Sequence, residues 1–171
     1  PRLSSRKNTV GPFESSRGCP NQCTYCNKGM FGNRLRLKSV NRVVDEMEYM
    51  LECGFREIHI WEDNFSANLK RAKEICREII RRRLRFPWNI FAGLRVDRVD
   101  KELFELLKEA GCYGVGLAAD SGNQELLDRI KKRITLDQIR KAFRFAKEAE
   151  LETTGFFMFG LPGETEETMK N

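Results

Sequence analysis

The sequence predicts an α/β protein in which short parallel strands alternate with helices. Two observations carry that prediction. Five short apolar runs recur along the chain, "GPFESS" at 11–16, "EIHIWE" at 57–62, "WNIFAG" at 88–93, "YGVGLAA" at 113–119 and "TGFFMFG" at 154–160. Between them, apolar residues return every three and four positions, as they do on one face of a helix. Parallel strands need crossovers of that length, so the alternation points to a parallel sheet. An open doubly wound sheet and a barrel both fit, and in either the ligands gather at the carboxyl ends of the strands.

The elements follow in order. After the first run comes the loop "SRGCPNQC", and then a helical stripe of Val43, Val44, Met47, Met50 and Leu51 that Gly54 can end in a left-handed conformation. The second strand leaves through "EDNFS" towards a stripe of Ala72, Ile75, Cys76, Ile79 and Ile80. The third leaves through "LRVDR" towards Leu103, Leu106, Leu107 and Ala110, with Gly111 at the end. The fourth leaves through "ADSGN", and the helix of Ile139, Ala142, Phe143 and Ala146 is announced by "TLDQ", where Thr135 and Gln138 make a capping box. The fifth leaves through "GLPGE". These five exit loops hold nearly all the unusual polar and glycine content, which places the chemistry on one face. The opening "PRLSSRKNTV" has no initiating Met, and the closing "GLPGETEETMKN" has the composition of a helix just beginning. A fragment of a longer protein is expected.

Composition narrows the class. With 40% hydrophobic and 33% charged residues among 171, the chain reads as globular and soluble rather than disordered. No apolar run reaches membrane-spanning length and no secretory signal opens the chain, so a cytoplasmic location is expected. The net charge of +6 can steer an anionic partner. The densest basic run, "CREIIRRRLRF" at 76–86, falls at a helix end, where cations suit the exposed carbonyls. It reads as a solvated face rather than a nucleic-acid contact. The basic stretch "NRLRLK" at 33–38 is open to three readings: substrate contact, contact with another domain, or solvated surface.

Six cysteines remain to be explained. Cys53, Cys76 and Cys112 are expected as small buried side chains. Cys19, Cys23 and Cys26 are different, because their C-x3-C-x2-C spacing sits in the loop after the first strand. Soft thiolates select zinc, copper(I) or iron–sulfur species. A structural zinc wants four ligands, and the single His59 lies inside a strand between Ile58 and Ile60, where a packed imidazole is expected. A cubane cluster takes one thiolate per iron, so three thiolates leave one iron open for a small molecule. A non-catalytic zinc module is the reading from another class.

"CPNQCTYC" resembles the cluster loop of the radical S-adenosylmethionine superfamily, with Tyr25 in its aromatic place. "EIHIWEDNFS" resembles the family's second-strand end, "GVGLAADSGNQELLDRI" its fourth-strand segment and "TTGFFMFGLPGETEET" its fifth-strand segment. The group most similar is the one whose members carry an N-terminal cobalamin-binding domain and share a core with the methylthiotransferases. The resemblance implies a partial TIM-type barrel of six strand–helix units, with residues 1–171 as a truncated core that lacks the sixth. The cobalamin-binding domain and the end of the barrel would lie outside the chain.

The resemblance also implies a site. Cys19, Cys23 and Cys26 would hold a [4Fe-4S] cluster, and S-adenosylmethionine would chelate its open iron and be cleaved reductively to a 5′-deoxyadenosyl radical. Methyl transfer to an unactivated carbon is the leading outcome, with rearrangement, cyclisation or sulfur insertion as alternatives. Cofactor contacts are expected from Tyr25, Glu62, Asp63, Asp120 and Ser121, from Arg95 towards a carboxylate, and from the backbone of Gly160, Leu161, Pro162 and Gly163 towards the adenine. An electron donor such as flavodoxin or ferredoxin and a small-molecule substrate are the implied partners. Asp120 stands where the family most often has Glu, one methylene longer.

Overall fold

A computed structural model describes residues 5–170. Among them, five strands form one parallel sheet: β1 (Val10–Phe13), β4 (Glu57–Ile60), β5 (Trp88–Leu94), β6 (Cys112–Asp120) and β7 (Glu152–Phe157). Two short strands, β2 (Ser16–Arg17) and β3 (Arg36–Leu37), pair antiparallel beside it. The helices are α1 (Val40–Glu52), α2 (Leu69–Arg81), α3 (Lys101–Glu109), α4 (Gln124–Arg129), α5 (Leu136–Glu148) and α6 (Glu166–Met169). The sheet order follows the chain, β1-β4-β5-β6-β7. A doubly wound sheet reverses its order at a switch point, whereas a barrel does not. The winding is therefore of the barrel type.

The helices form one layer, with α1 on α2, α2 on α3 and α3 on α5. The expected stripes supply that interface: Val43, Val44 and Met47, then Ala72, Ile75, Cys76 and Ile79, then Leu103 and Leu107, all buried against Ile58, Ile60, Trp88, Ile90, Val115 and Leu117. Side chains alternate across a strand, so Glu57, His59 and Asn89 face the opposite side of the sheet. There they make a buried polar cluster at the amino ends of the strands. His59 Nε2 lies 2.6 Å from Glu57 Oε1, and Asn89 Nδ2 donates to the Tyr113 hydroxyl at 2.6 Å.

Local signals act as expected at the helix ends. Thr135 and Gln138 close their capping box, and Gly54 and Gly111 take positive φ. Cys76 and Cys112 are buried, but Cys53 is exposed. It is the C-cap residue of α1, where the chain turns out of the apolar stripe.

Candidate functional site

The loop from Gly18 to Leu35 bears the three cysteines, and its two ends are tied by the β2–β3 ladder. That ladder is short, and charged side chains from elsewhere hold it in place. Glu62, just past β4, accepts from the backbone N–H of Ser15 at 2.6 Å and of Ser16 at 3.1 Å. The hydroxyls of the same serines donate to its other oxygen at 3.2 and 2.8 Å. Burial pushes the Glu62 carboxyl above the usual carboxylate range, against the pull of these four bonds. Buried Arg71 of α2 donates to the Ser15 carbonyl at 2.8 Å and the Lys38 carbonyl at 2.9 Å, gripping both ends of the loop. Gly18 sits at φ +85°, and a Cβ there would lie 2.4 Å from the Arg34 carbonyl oxygen, so only glycine fits this turn. Its N–H donates to Asp63 at 2.9 Å.

Within the loop, Cys26 N–H turns back to the Cys23 carbonyl at 3.2 Å, and Thr24 N–H reaches the Ile130 carbonyl at the end of α4 at 3.0 Å. The thiols of Cys19, Cys23 and Cys26 then line one cavity of about 180 Å³. Asp63, Gly93, Arg95 and Lys132 share its wall, so it opens at the carboxyl ends of β4, β5 and β6. Donors reach the sulfurs: Asn21 Nδ2 is 3.2 Å from Cys19 Sγ, and Arg95 Nη1 is 3.6 Å from Cys23 Sγ. Arg95 is buried and further fixed by Asp97 at 2.9 Å and the Lys132 carbonyl at 2.6 Å. Burial draws its pKa down, but Asp97 and then Cys23 more than offset this, so it stays firmly cationic. Burial also pushes the Cys26 thiol up.

On the other wall, Tyr25 donates to Asp120 Oδ2 at 2.5 Å. Burial and then this bond raise the phenol. Lys132 Nζ pairs with the same carboxylate oxygen at 2.6 Å and touches the Tyr25 hydroxyl at 3.0 Å. Asp120 ends β6 with φ +64°, a left-handed conformation that Asp tolerates better than longer side chains do. Ser121 is buried beside it and accepts from Asn123 N–H at 3.1 Å.

A neighbouring cavity of about 200 Å³ lies between Asp120–Gly122 and Phe157–Phe159. The "GLPGE" turn adjoins it: Glu164 accepts from Gly160 N–H at 2.5 Å and Leu161 N–H at 3.2 Å, while Pro162 gives its carbonyl to Arg129. Leu161 is buried in the core and Gly163 lies under the Arg129 guanidinium.

Cys19, Cys23, Cys26, Tyr25, Asp63 and Arg95 thus meet at one cavity, and Asp120 joins them through Tyr25 and Lys132. Glu62 is occupied differently from its expected part in a ligand contact, because all four of its hydrogen bonds clamp the loop root. Lys132 and Arg71 were not foreseen. Lys132 is the middle of "KKR", and nothing in a run of three cations marks which one is buried.

The family profile of the radical SAM superfamily matches residues 13–171. The chain belongs to the radical SAM superfamily. Cytidylyl-2-hydroxyethylphosphonate methyltransferase of Streptomyces wedmorensis is 36% identical over 90% of this chain and 29% of its own length. Anaerobic magnesium-protoporphyrin IX monomethyl ester cyclase of Cereibacter sphaeroides is 31% identical over 91% of this chain and 26% of its own. Among solved structures, the radical S-adenosylmethionine methyltransferase TsrM from Kitasatospora setae, with cobalamin and a [4Fe-4S] cluster bound, superposes with a TM-score of 0.84 at 29% identity. That match covers 93% of this chain and 32% of TsrM. The chain spans about a third of the length of the relatives it matches. Radical SAM proteins use a [4Fe-4S] cluster and S-adenosylmethionine, and the three cysteines on one cavity fit the cluster. Three thiols around one cavity suit a cluster with an open iron. N–H groups directed at cysteine sulfur are the contacts that tune such clusters.

Proposed function

We propose that this chain is the radical-generating core of an S-adenosylmethionine enzyme, with Cys19, Cys23 and Cys26 as the thiolate ligands of its [4Fe-4S] cluster. The observation that carries the reading is the shared cavity: three cysteines of one loop line it at the carboxyl ends of the strands, with donors directed at the sulfurs of Cys19 and Cys23. When bound, the cluster and S-adenosylmethionine together supply reductive cleavage of a carbon–sulfur bond.

The chain's own residues hold, orient and balance charge. Arg95 offsets the thiolate charge at Cys23. Asp63 fixes the turn at Gly18 and offers a carboxylate edge to a cationic ligand in the cavity. Asp120, short as it is, is met by Tyr25 and Lys132, two partners that hold its carboxylate at the end of β6. Lys132 lines the cysteine cavity with its ammonium committed to Asp120 and the Tyr25 hydroxyl, and Ser121 lines the adjoining cavity beside the Gly160–Gly163 turn, where a planar base can lie.

Similarity to a phosphonate methyltransferase and to TsrM supports methyl transfer as the outcome, with cobalamin held by a domain outside this chain. The cyclase supports a non-methylating outcome as the second reading. Anaerobic reconstitution with iron and sulfide is expected to load roughly four irons per chain. Chemical reduction with S-adenosylmethionine is then expected to release 5′-deoxyadenosine and methionine. Retention of zinc with no 5′-deoxyadenosine would sink the reading, and a full cluster in Cys23→Ala would sink the ligand assignment.

A further inference from the structure

Cys19 and Cys23 meet different donors, although one loop carries both. Asn21 brings a neutral amide to Cys19 Sγ at 3.2 Å, and Asn64 brings another at 4.0 Å. Cys23 instead faces a full charge, with Arg95 Nη1 at 3.6 Å from its sulfur. Arg95 follows the last residue of β5, and its side chain is 7% exposed. Each nitrogen of its fork has its own partner: Nε takes Asp97 at 2.9 Å, Nη2 the Lys132 carbonyl at 2.6 Å, and Nη1 the sulfur. The charge is both desolvated and fixed in direction.

Its counter-charge is shared. Asp97 also draws Arg98 Nε, at 3.7 Å, so one carboxylate answers two cations. The other cations on the cavity are placed differently. Lys132 is met by Asp120 at 2.6 Å, and Lys28, beside Cys26, is half-buried on a flexible stem that water can screen. Of the three, Arg95 is the one held at three points with its charge turned on a sulfur.

We propose that Arg95 raises the reduction potential of the cluster through the Cys23 sulfur, with Asp97 as the opposing charge. The proposal rests on the reading of the cysteines given above. The couple is a one-electron one: the cluster gains an electron from a low-potential reductant, and no bond forms or breaks. The added negative charge spreads onto the thiolate sulfurs, so a cation fixed beside one of them favours the reduced form. Burial keeps water from screening that preference. Arg95 is in this sense a positioning residue that acts through Cys23. A purely structural tie between the β5 exit and the Lys132 segment would affect folding or iron content, and would not move a potential in opposite directions at Arg95 and Asp97.

The test is a redox titration of the reconstituted full-length holoenzyme without S-adenosylmethionine, using titanium(III) citrate as reductant. The readout is the paramagnetic resonance signal of the reduced cluster, in samples matched for iron content. Arg95→Gln is expected to make reduction about tenfold less favourable, a shift of about 59 mV to more negative potential. Arg95→Lys keeps the charge and loses the fork, and should fall between Arg95→Gln and the wild type. Asp97→Asn removes the opposing charge and should move the potential upward. Lys28→Gln should move it downward by less than half as much as Arg95→Gln. An unmoved potential in Arg95→Gln, a downward shift in Asp97→Asn, or a Lys28→Gln shift as large as that of Arg95→Gln would each overturn the proposal. If Arg95→Gln fails to hold iron, the opposite signs expected of Arg95→Lys and Asp97→Asn decide the matter. A wild type that loads no iron gives no signal at all, and then the proposed function falls together with this inference.

Discussion

Glu57 at the amino end of β4 and Glu62 just past its carboxyl end are both buried, yet their carboxyls shift in opposite directions. Each receives four hydrogen bonds. Glu57 takes them from the Tyr113 hydroxyl, the His59 ring and the N–H groups of Arg6 and Lys7, each at 2.6 Å. Burial raises its carboxyl, but these bonds outweigh the burial and hold it below the usual range. Glu57 lies at the end of the sheet, with the strap of residues 6–7 bonded across it, while Glu62 lies between the loop root and Arg71, where burial wins. The amino end of the sheet is thus electrostatically settled and acts in stability. At the carboxyl end a charge is kept at a cost, and what it secures is the position of the cysteine loop.

The largest effect should come from breaking the settled end. Glu57→Ala takes an acceptor from Tyr113, His59 and two backbone N–H groups, at an expected cost of about 3 kcal/mol by chemical denaturation. Cluster loading of the folded fraction should stay whole. Equal losses of stability and of iron would show that the two ends are not separable.

Acid then sharpens the contrast. Because the folded Glu57 carboxyl is held low, its contribution is complete above the unfolded pKa of about 4.3 and is lost as pH falls through its folded value. Glu57→Gln should therefore flatten the acid limb of a stability–pH curve below about pH 4. Glu62 has the opposite sign: its folded pKa is raised, so stability falls as pH rises from the unfolded value to the folded one. A variant curve steeper in acid than the wild type at Glu57 would overturn the assignment.

Smaller still should be the effect of Glu62→Gln on stability, within about 1 kcal/mol, since removing a costly charge offsets a poorer acceptor. Its signature is local: faster hydrogen exchange at the Ser15 and Ser16 amides, and faster iron loss to a chelator. Unchanged exchange at both amides would mean that Arg71 and the β2–β3 ladder suffice.

The alternating strands and helices and the cysteine loop were legible in the sequence, the contrast between Glu57 and Glu62 was not, and the limits have physical causes. Periodicity placed α1, α2, α3 and α5 because each buries a long stripe, but α4 has only the six residues of "QELLDR", too few for a period. The β2–β3 ladder joins Ser16 to Leu37 and Arg17 to Arg36, across the whole cysteine loop, with no pattern of its own in the chain. The three cysteines announced themselves by spacing, whereas Lys132 and Arg71 look like any other cation until the fold buries them. Glu62 was marked as acidic at a strand end, and only its four partners show that it serves the loop.

The finest cut separates position from stability within the site itself. Tyr25→Phe removes one hydroxyl and leaves the Lys132–Asp120 pair at 2.6 Å, so the carboxylate keeps a charged partner and the fold loses little. What changes is orientation. Without the 2.5 Å bond, the ring at position 25 keeps its packing and the Lys132 ammonium 5.8 Å from its centroid, and Lys132 gives up its 3.0 Å contact to the hydroxyl. The expected result is a loss of S-adenosylmethionine affinity of about fivefold, near 1 kcal/mol, with the thermal midpoint unmoved. A drop in thermal midpoint with affinity intact would place Tyr25 with Glu57, among the residues that hold the fold, and not with Glu62, among those that aim the site.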